Sequence, residues 1–178
     1  MGRSALVVLV PAAGEQIERL RLAHDPMAAR GVPAHVTVLH PFRATLDDDA
    51  HDTIATIAAA VPRWTIRFDT ARRFDDRVVY LAPEPPDPFV ASTRRLAAAF
   101  PDCPPYGGAY AEPTPHLTVG SHLDGEEADR LAAVLDGFAA FTSPADRLTR
   151  LVEDDAGMWA IERSWRFGRP RPSDLVAV

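Results

Sequence analysis

The stretch VPAHVTVLHPF, residues 32–42, has a counterpart further along the chain: PTPHLTVGSH, residues 113–122. In each, a lead-in carrying proline meets His, an apolar residue, Thr and another apolar residue. The histidines, His35 and His116, stand 116 − 35 = 81 residues apart. In a β-strand, residues i and i+2 share a face. His35 and Thr37 therefore point one way, while Val36 and Val38 point the other, into a core. His116 and Thr118 stand in the same relation to Leu117 and Val119. Each strand presents one imidazole and one hydroxyl, anchored from behind by aliphatic side chains.

The surroundings repeat as well. After each motif the pattern runs helix, strand, acidic turn, strand. Asp47 to Asp49 open the first helix, where acidic residues suit the helix dipole. Ile54, Ile57, Ala58 and Val61 lie on one face of it, and Pro62 ends it. Trp64 to Phe68 alternates as a strand, Asp75 and Asp76 make a turn, and Val78 to Leu81 returns. Past the second motif, Leu131, Val134, Leu135 and Phe138 mark a helix over about 125–139. Strands over about 145–153 and 158–165 follow, joined by the turn Asp154 to Gly157. The stretch FDDRVVYL at 74–81 echoes EDDAGMWAI at 153–161, at nearly the offset of the histidines. Ahead of the first motif stand a strand, Ala5 to Val10, and a helix, Glu15 to Ala23, closed by Asp25 and Pro26. Between the repeats lie a helix over about 87–99 and the irregular PDCPPYGGAYAEPTP at 101–115. The implied fold is α+β. It is a single bilobal domain over 1–178, with repeats at about 33–82 and 114–166. Two antiparallel-rich sheets carry helices on their outer faces, and both motif strands meet at a central cleft.

Composition narrows the function classes. A chain of 178 residues with 47% hydrophobic and 25% charged content reads as a soluble globular protein. Net charge −6 argues against a broad grip on duplex DNA. All 19 basic residues are arginine. That rules out a Schiff-base or P-loop lysine and leaves planar phosphate recognition to Arg. With Cys103 as the one cysteine, no intramolecular disulfide is possible, which fits a reducing compartment and a cytoplasmic location. The apolar run at Ala5 to Val10 stops at Pro11, too short for a signal-peptide core or a membrane span. Neither a Gly-x-Ser-x-Gly elbow nor a Gly-rich dinucleotide fingerprint is present. A monomer is expected.

Two imidazoles and two hydroxyls converging on one point suit a tetrahedral anion. Histidine takes and gives protons near neutrality. One neutral ring can deprotonate a nucleophile while the other, protonated, serves a leaving oxygen. The threonines, Thr37 and Thr118, can hold non-bridging phosphate oxygens. Such chemistry needs no metal and no cofactor. His40 and His122 extend the motifs but at unequal offsets, without regularly spaced carboxylate or thiolate partners, so no metal site is expected. Tyr106 and Tyr110 precede the second motif and can stack on a base. Phe42 and Arg43 follow the first motif strand as candidates for the cleft rim. His24 and His51 read as solvated helical positions.

The paired HVTV and HLTV motifs, and above all the phrase PAHVTVLHPF, resemble the 2H phosphoesterase superfamily, also called LigT-like or the 2′-5′ RNA ligase family. The likeness covers nearly the whole chain. It implies a bilobal fold whose cleft carries both motifs, and metal-independent hydrolysis of 2′,3′-cyclic phosphates or 2′-linked phosphodiesters. The substrates would be RNA ends or small cyclic-phosphate nucleotides, and the usual product a 2′-phosphate. Carried over residue by residue, His35 would be the proton donor and His116 the acceptor that activates water, with Thr37 and Thr118 on the phosphate. The residues alone leave the two proton roles open. The alternatives are 2′-5′ ligation, the same equilibrium reversed, and a non-catalytic module of the same fold that binds an RNA end or phosphorylated ligand.

Overall fold

Strand β1 (Ser4–Leu9) is apolar almost throughout and is buried along most of its length, as a strand covered on both sides must be. The computed structural model describes residues 3–110 and 113–168. In it β1 lies inside a four-stranded sheet of order β2-β1-β7-β8, with β2 at His35–Phe42, β7 at Arg147–Glu153 and β8 at Trp159–Arg166. The second sheet has the order β5-β4-β3-β6. Its strands are β5 (Leu117–Ser121), β4 (Val78–Glu84), β3 (Trp64–Phe74) and β6 (Phe141–Ala145). Every pairing in both sheets is antiparallel. The architecture is α+β, as expected.

Among the described residues five α-helices accompany the sheets: α1 (Gly14–His24), the single turn α2 (Pro26–Ala29), α3 (Asp48–Ala59), α4 (Asp87–Ala99) and α5 (Gly125–Asp136). Their starts follow local chemistry. The Asp47 carboxylate accepts the Ala50 amide at 2.8 Å to cap α3. Asp124 and Glu127 form a reciprocal capping box at α5. Three of the helices bury a clear stripe: Ala50, Ile54 and Ala58 in α3, Phe89, Ser92 and Leu96 in α4, and Ala128, Leu131 and Leu135 in α5. None of the described helices is long and apolar enough to cross a membrane.

Two features depart from the sequence pattern. Helix α5 ends at Asp136, and the segment after it forms β6, which the pattern absorbs into neighbouring elements. Ala139 and Ala140 look helical, and Pro144 speaks against a strand. Yet β6 pairs only with β3, so it is a sheet edge, where a residue without an amide proton is tolerated. The second feature is connectivity. The β3–β4 hairpin, which follows the first motif, pairs with β5 of the second. Strands β7 and β8, which follow the second motif, share a sheet with β1 and β2. Each sheet thus draws strands from both repeats.

Candidate active site

Both motif strands are edge strands. β2 borders the first sheet and β5 the second, and the two pack side by side without a shared ladder. Along β2, Val36 and Val38 are buried while His35 and Thr37 are half-buried. Along β5, Leu117 and Val119 are fully buried and Thr118 is half-buried, with His116 one residue ahead of the strand. The two-residue alternation therefore turns these polar side chains away from the core that Val36, Val38, Leu117 and Val119 join.

The two imidazoles are held by the same device. His35 Nδ1 lies 2.8 Å from the carbonyl of Pro33, and His116 Nδ1 lies 2.7 Å from the carbonyl of Thr114. In each case the partner is two residues upstream. A carbonyl only accepts, so Nδ1–H donates and the neutral ring keeps its lone pair on Nε2. Neither Nε2 has a hydrogen-bond partner among the described residues. The His116 ring also sits edge-on to Phe74 at 5.0 Å and to Tyr80 at 5.5 Å, while those two rings stack at 4.3 Å.

Burial lowers both histidines. His35 is pushed down to about 4: desolvation dominates, the Pro33 carbonyl opposes it, and the charges of Arg21 and His116 add to it. His116 is also lowered by burial, against the pull of the Thr114 carbonyl. Both rings are neutral near pH 7 in the free protein.

His116 and Thr118 line a cavity of about 750 Å³ together with Phe74, Tyr106, Tyr110, Arg73, Arg77 and His122. His35 and Thr37 line a smaller one of about 150 Å³, beside His40, Met27 and Trp159. The two motifs thus line neighbouring cavities of unequal size. Tyr106 stands between them, because it lines the larger cavity while the Thr37 side chain is close enough to influence its hydroxyl. Among the described residues, the non-glycine positions at positive φ are Asp75, Tyr106 and His122, at 48°, 50° and 60°, and all three line the larger cavity. Left-handed backbone at such residues costs energy and gathers at functional surfaces.

The remaining sequence candidates separate. Tyr106 and Tyr110 meet edge-on at 5.7 Å, and both line the larger cavity. Phe42 and Arg43 line neither cavity. Phe42 is buried in the core beside Val36 and Val38, and packs edge-on against Phe100 at 5.1 Å. Arg43 forms a two-pronged pair with Asp102, both contacts at 2.9 Å. His40 and His122 line different cavities. His51, expected to be solvated, is half-buried and accepts from Trp165 Nε1 at 3.1 Å. Cys103 is buried, and burial pushes its thiol up, which makes a poor nucleophile. Sequence reasoning missed Arg21. It lies one helical turn from Ile17, on the buried face of α1, flanked at i−3 and i+4 by Glu18 and Asp25. A charge in an apolar stripe with acidic neighbours was the available signal.

Two antiparallel sheets, each with an edge that presents a carbonyl-anchored imidazole and a hydroxyl, thus frame the candidate site. The 2′-5′ RNA ligase superfamily profile matches residues 9–157. The chain belongs to that superfamily. Its fold resembles that of E. coli LigT, solved as a complex with 3′-AMP, at 17% identity and a TM-score of 0.58, covering 93% of this chain and 97% of that one. A phosphoesterase structure aligns at 17% identity and a TM-score of 0.57, covering 95% of this chain and 100% of the other. The protein TT0787 of Thermus thermophilus aligns at 13% identity and a TM-score of 0.58, covering 95% of this chain and 100% of that one. No curated protein sequence matches the chain significantly.

Proposed function

We propose that the protein is a metal-independent phosphodiesterase. It hydrolyses the 2′,3′-cyclic phosphate or 2′-linked phosphodiester of RNA ends or small cytoplasmic nucleotides to a 2′-phosphate. The observation that carries this reading is the twin imidazole arrangement, in which each Nδ1 is committed to a backbone carbonyl and each Nε2 is left to a ligand. On a 2′,3′-cyclic phosphate, the neutral Nε2 of one ring accepts a proton from water as the water oxygen bonds to phosphorus. The P–O3′ bond breaks, and the imidazolium of the other ring protonates O3′. Water has then added across one P–O bond, leaving a 2′-monophosphate and a 3′-hydroxyl. Thr37 and Thr118 donate to the non-bridging oxygens as charge gathers there.

The acid must be protonated, and His35 starts at about 4. An anion at ~4 Å in a protein-surface dielectric favours a cation by about 4 kcal/mol. That equals a rise of about 3 pKa units, enough to bring His35 close to neutrality once phosphate is bound. The donor role that the family resemblance gives His35 is therefore energetically open, with His116 as the base. The larger cavity, with three aromatic rings and two arginines on its walls, suits the nucleoside part of the substrate. The superfamily membership and the 3′-AMP bound to the LigT relative support a nucleotide ligand.

The test is incubation with nucleoside 2′,3′-cyclic phosphates in excess chelator. Formation of the 2′-monophosphate is expected, with turnover falling about 100-fold or more in His35→Ala and in His116→Ala. Unchanged turnover in both variants would remove the site assignment, and loss of activity in chelator would remove the metal-independent mechanism.

A further inference from the structure

Arg21 belongs to neither motif, yet it is 1% exposed and bonds to the approaches of both. Its Nε donates to the carbonyl of Thr118 at 3.1 Å, on β5. Its Nη2 donates to the carbonyl of Val32 at 3.0 Å, on the lead-in to β2. The same nitrogen reaches Asp25 Oδ2 at 3.3 Å, and Nη1 reaches Glu18 Oε2 at 3.0 Å.

The two carboxylates extend these links. Glu18 Oε1 accepts the amide of Ala34 at 2.9 Å, next to His35. Asp25 Oδ1 accepts the hydroxyl of Ser121 at 3.0 Å, at the end of β5, and the Met27 amide at 3.2 Å. Three side chains of one helix and its C-cap thus hold two contacts on the approach to His35 and two on β5. The motif strands share no backbone ladder, so this network is a hydrogen-bonded tie between them.

Space filling alone does not call for a guanidinium there. A buried ion pair is at best neutral for stability compared with well-packed apolar side chains. What arginine adds is a rigid planar fork that fixes two carbonyls at set angles. We propose that Arg21, braced by Glu18 and Asp25, is the positioning residue of the site: a strut that sets the separation of the two motif strands and hence of the two histidines across the phosphate. The proposal rests on the two-histidine reading given above.

The charges of the strut also reach the His35 ring. Arg21 disfavours its protonated form and Asp25 favours it. His116 on the opposing strand acts in the same sense as Arg21, and His40 faces the same small cavity. The strut therefore has a signature beyond stability.

Arg21→Met keeps the bulk and removes charge and donors, Arg21→Lys keeps only the charge, and Asp25→Asn removes the opposing charge. Each is assayed for kcat and KM on a nucleoside 2′,3′-cyclic phosphate, and for the His35 and His116 titrations by NMR. Arg21→Met is expected to lose about 100-fold in kcat, the cost of about 1 Å of misplacement, with KM within a few-fold. His35 should titrate higher than in the parent. Arg21→Lys should lose kcat comparably while His35 titrates close to the parent, and Asp25→Asn should move His35 lower. Wild-type kcat in folded Arg21→Met and Arg21→Lys, or a His116 resonance untouched by either, overturns the proposal.

Should the Arg21 variants not fold, Ser121→Ala and Glu18→Gln each cut one link at a partly exposed side chain. A several-fold kcat loss at unchanged KM then supports the strut, and wild-type kcat in both overturns it. Absence of turnover in the wild-type protein would instead refute the enzymatic reading. The NMR comparison would still test the tie, since it needs no substrate.

Discussion

Replacing His35 by Gln should flatten part of the protein's acid sensitivity. In the unfolded chain the imidazole titrates near its ordinary value of 6.5, and in the folded protein at about 4, chiefly because burial penalises the cation. Below about pH 6.5 the unfolded state therefore binds more protons, and folded stability falls as pH drops, levelling off near pH 4. The full difference is about 2.5 units, worth about 3 kcal/mol at 1.36 kcal/mol per unit. Because the ring is half-buried, solvent screening trims this to about 2 kcal/mol. The assay is urea unfolding of wild type and His35→Gln at a series of pH values from about 7 to about 4. His40 and His116, also lowered by burial, contribute to both proteins and cancel in the comparison. The wild-type protein should lose about 2 kcal/mol more than the variant over that window. Parallel stability curves would show that His35 is not held neutral by burial, and the pKa argument for the site would fail.

Gly31→Ala should destabilise the fold by about 2–3 kcal/mol, read by the same unfolding assay. Its φ is +87° and a Cβ would meet the Trp159 carbonyl oxygen at 2.8 Å, while Trp159 is itself tied through its amide to the Arg30 carbonyl. Tyr106→Phe removes the hydroxyl that stands near Thr37. A hydrogen bond of about 1 kcal/mol corresponds to about a 5-fold fall in kcat/KM on a nucleoside cyclic phosphate, with the melting temperature nearly unchanged. Asp124→Ala breaks the capping box of α5, a helix that carries neither motif histidine. It should cost about 1 kcal/mol of stability and leave kcat untouched.

Much of the local structure was legible in the residues. The alternation of His35, Val36, Thr37 and Val38 reports a strand with one wet face, because side chains alternate every residue whatever the strand pairs with. Helix α4 lies at Asp87–Ala99, as its bounding prolines indicated. Parity does not carry along the whole of β2: a register shift buries Leu39 and turns His40 to the small cavity, so the core position of Phe42 depends on the pairing with β1. Other features depend on contacts between residues far apart in sequence. Which hairpin each motif strand joins is a matter of long-range pairing, and a repeat in sequence is equally compatible with separate or interleaved halves. The place of Tyr106 between the two cavities depends on the segment between α4 and β5 packing against β2 of the other sheet. The acidic neighbours Glu18 and Asp25 mark Arg21 locally, but its role as a tie is not legible there, because its backbone acceptors lie at Val32 and Thr118, 11 and 97 residues away. Periodicity sets which face of an element a side chain occupies. Only the assembled sheets decide what waits on that face, and whether a buried charge finds the partners that make its desolvation tolerable.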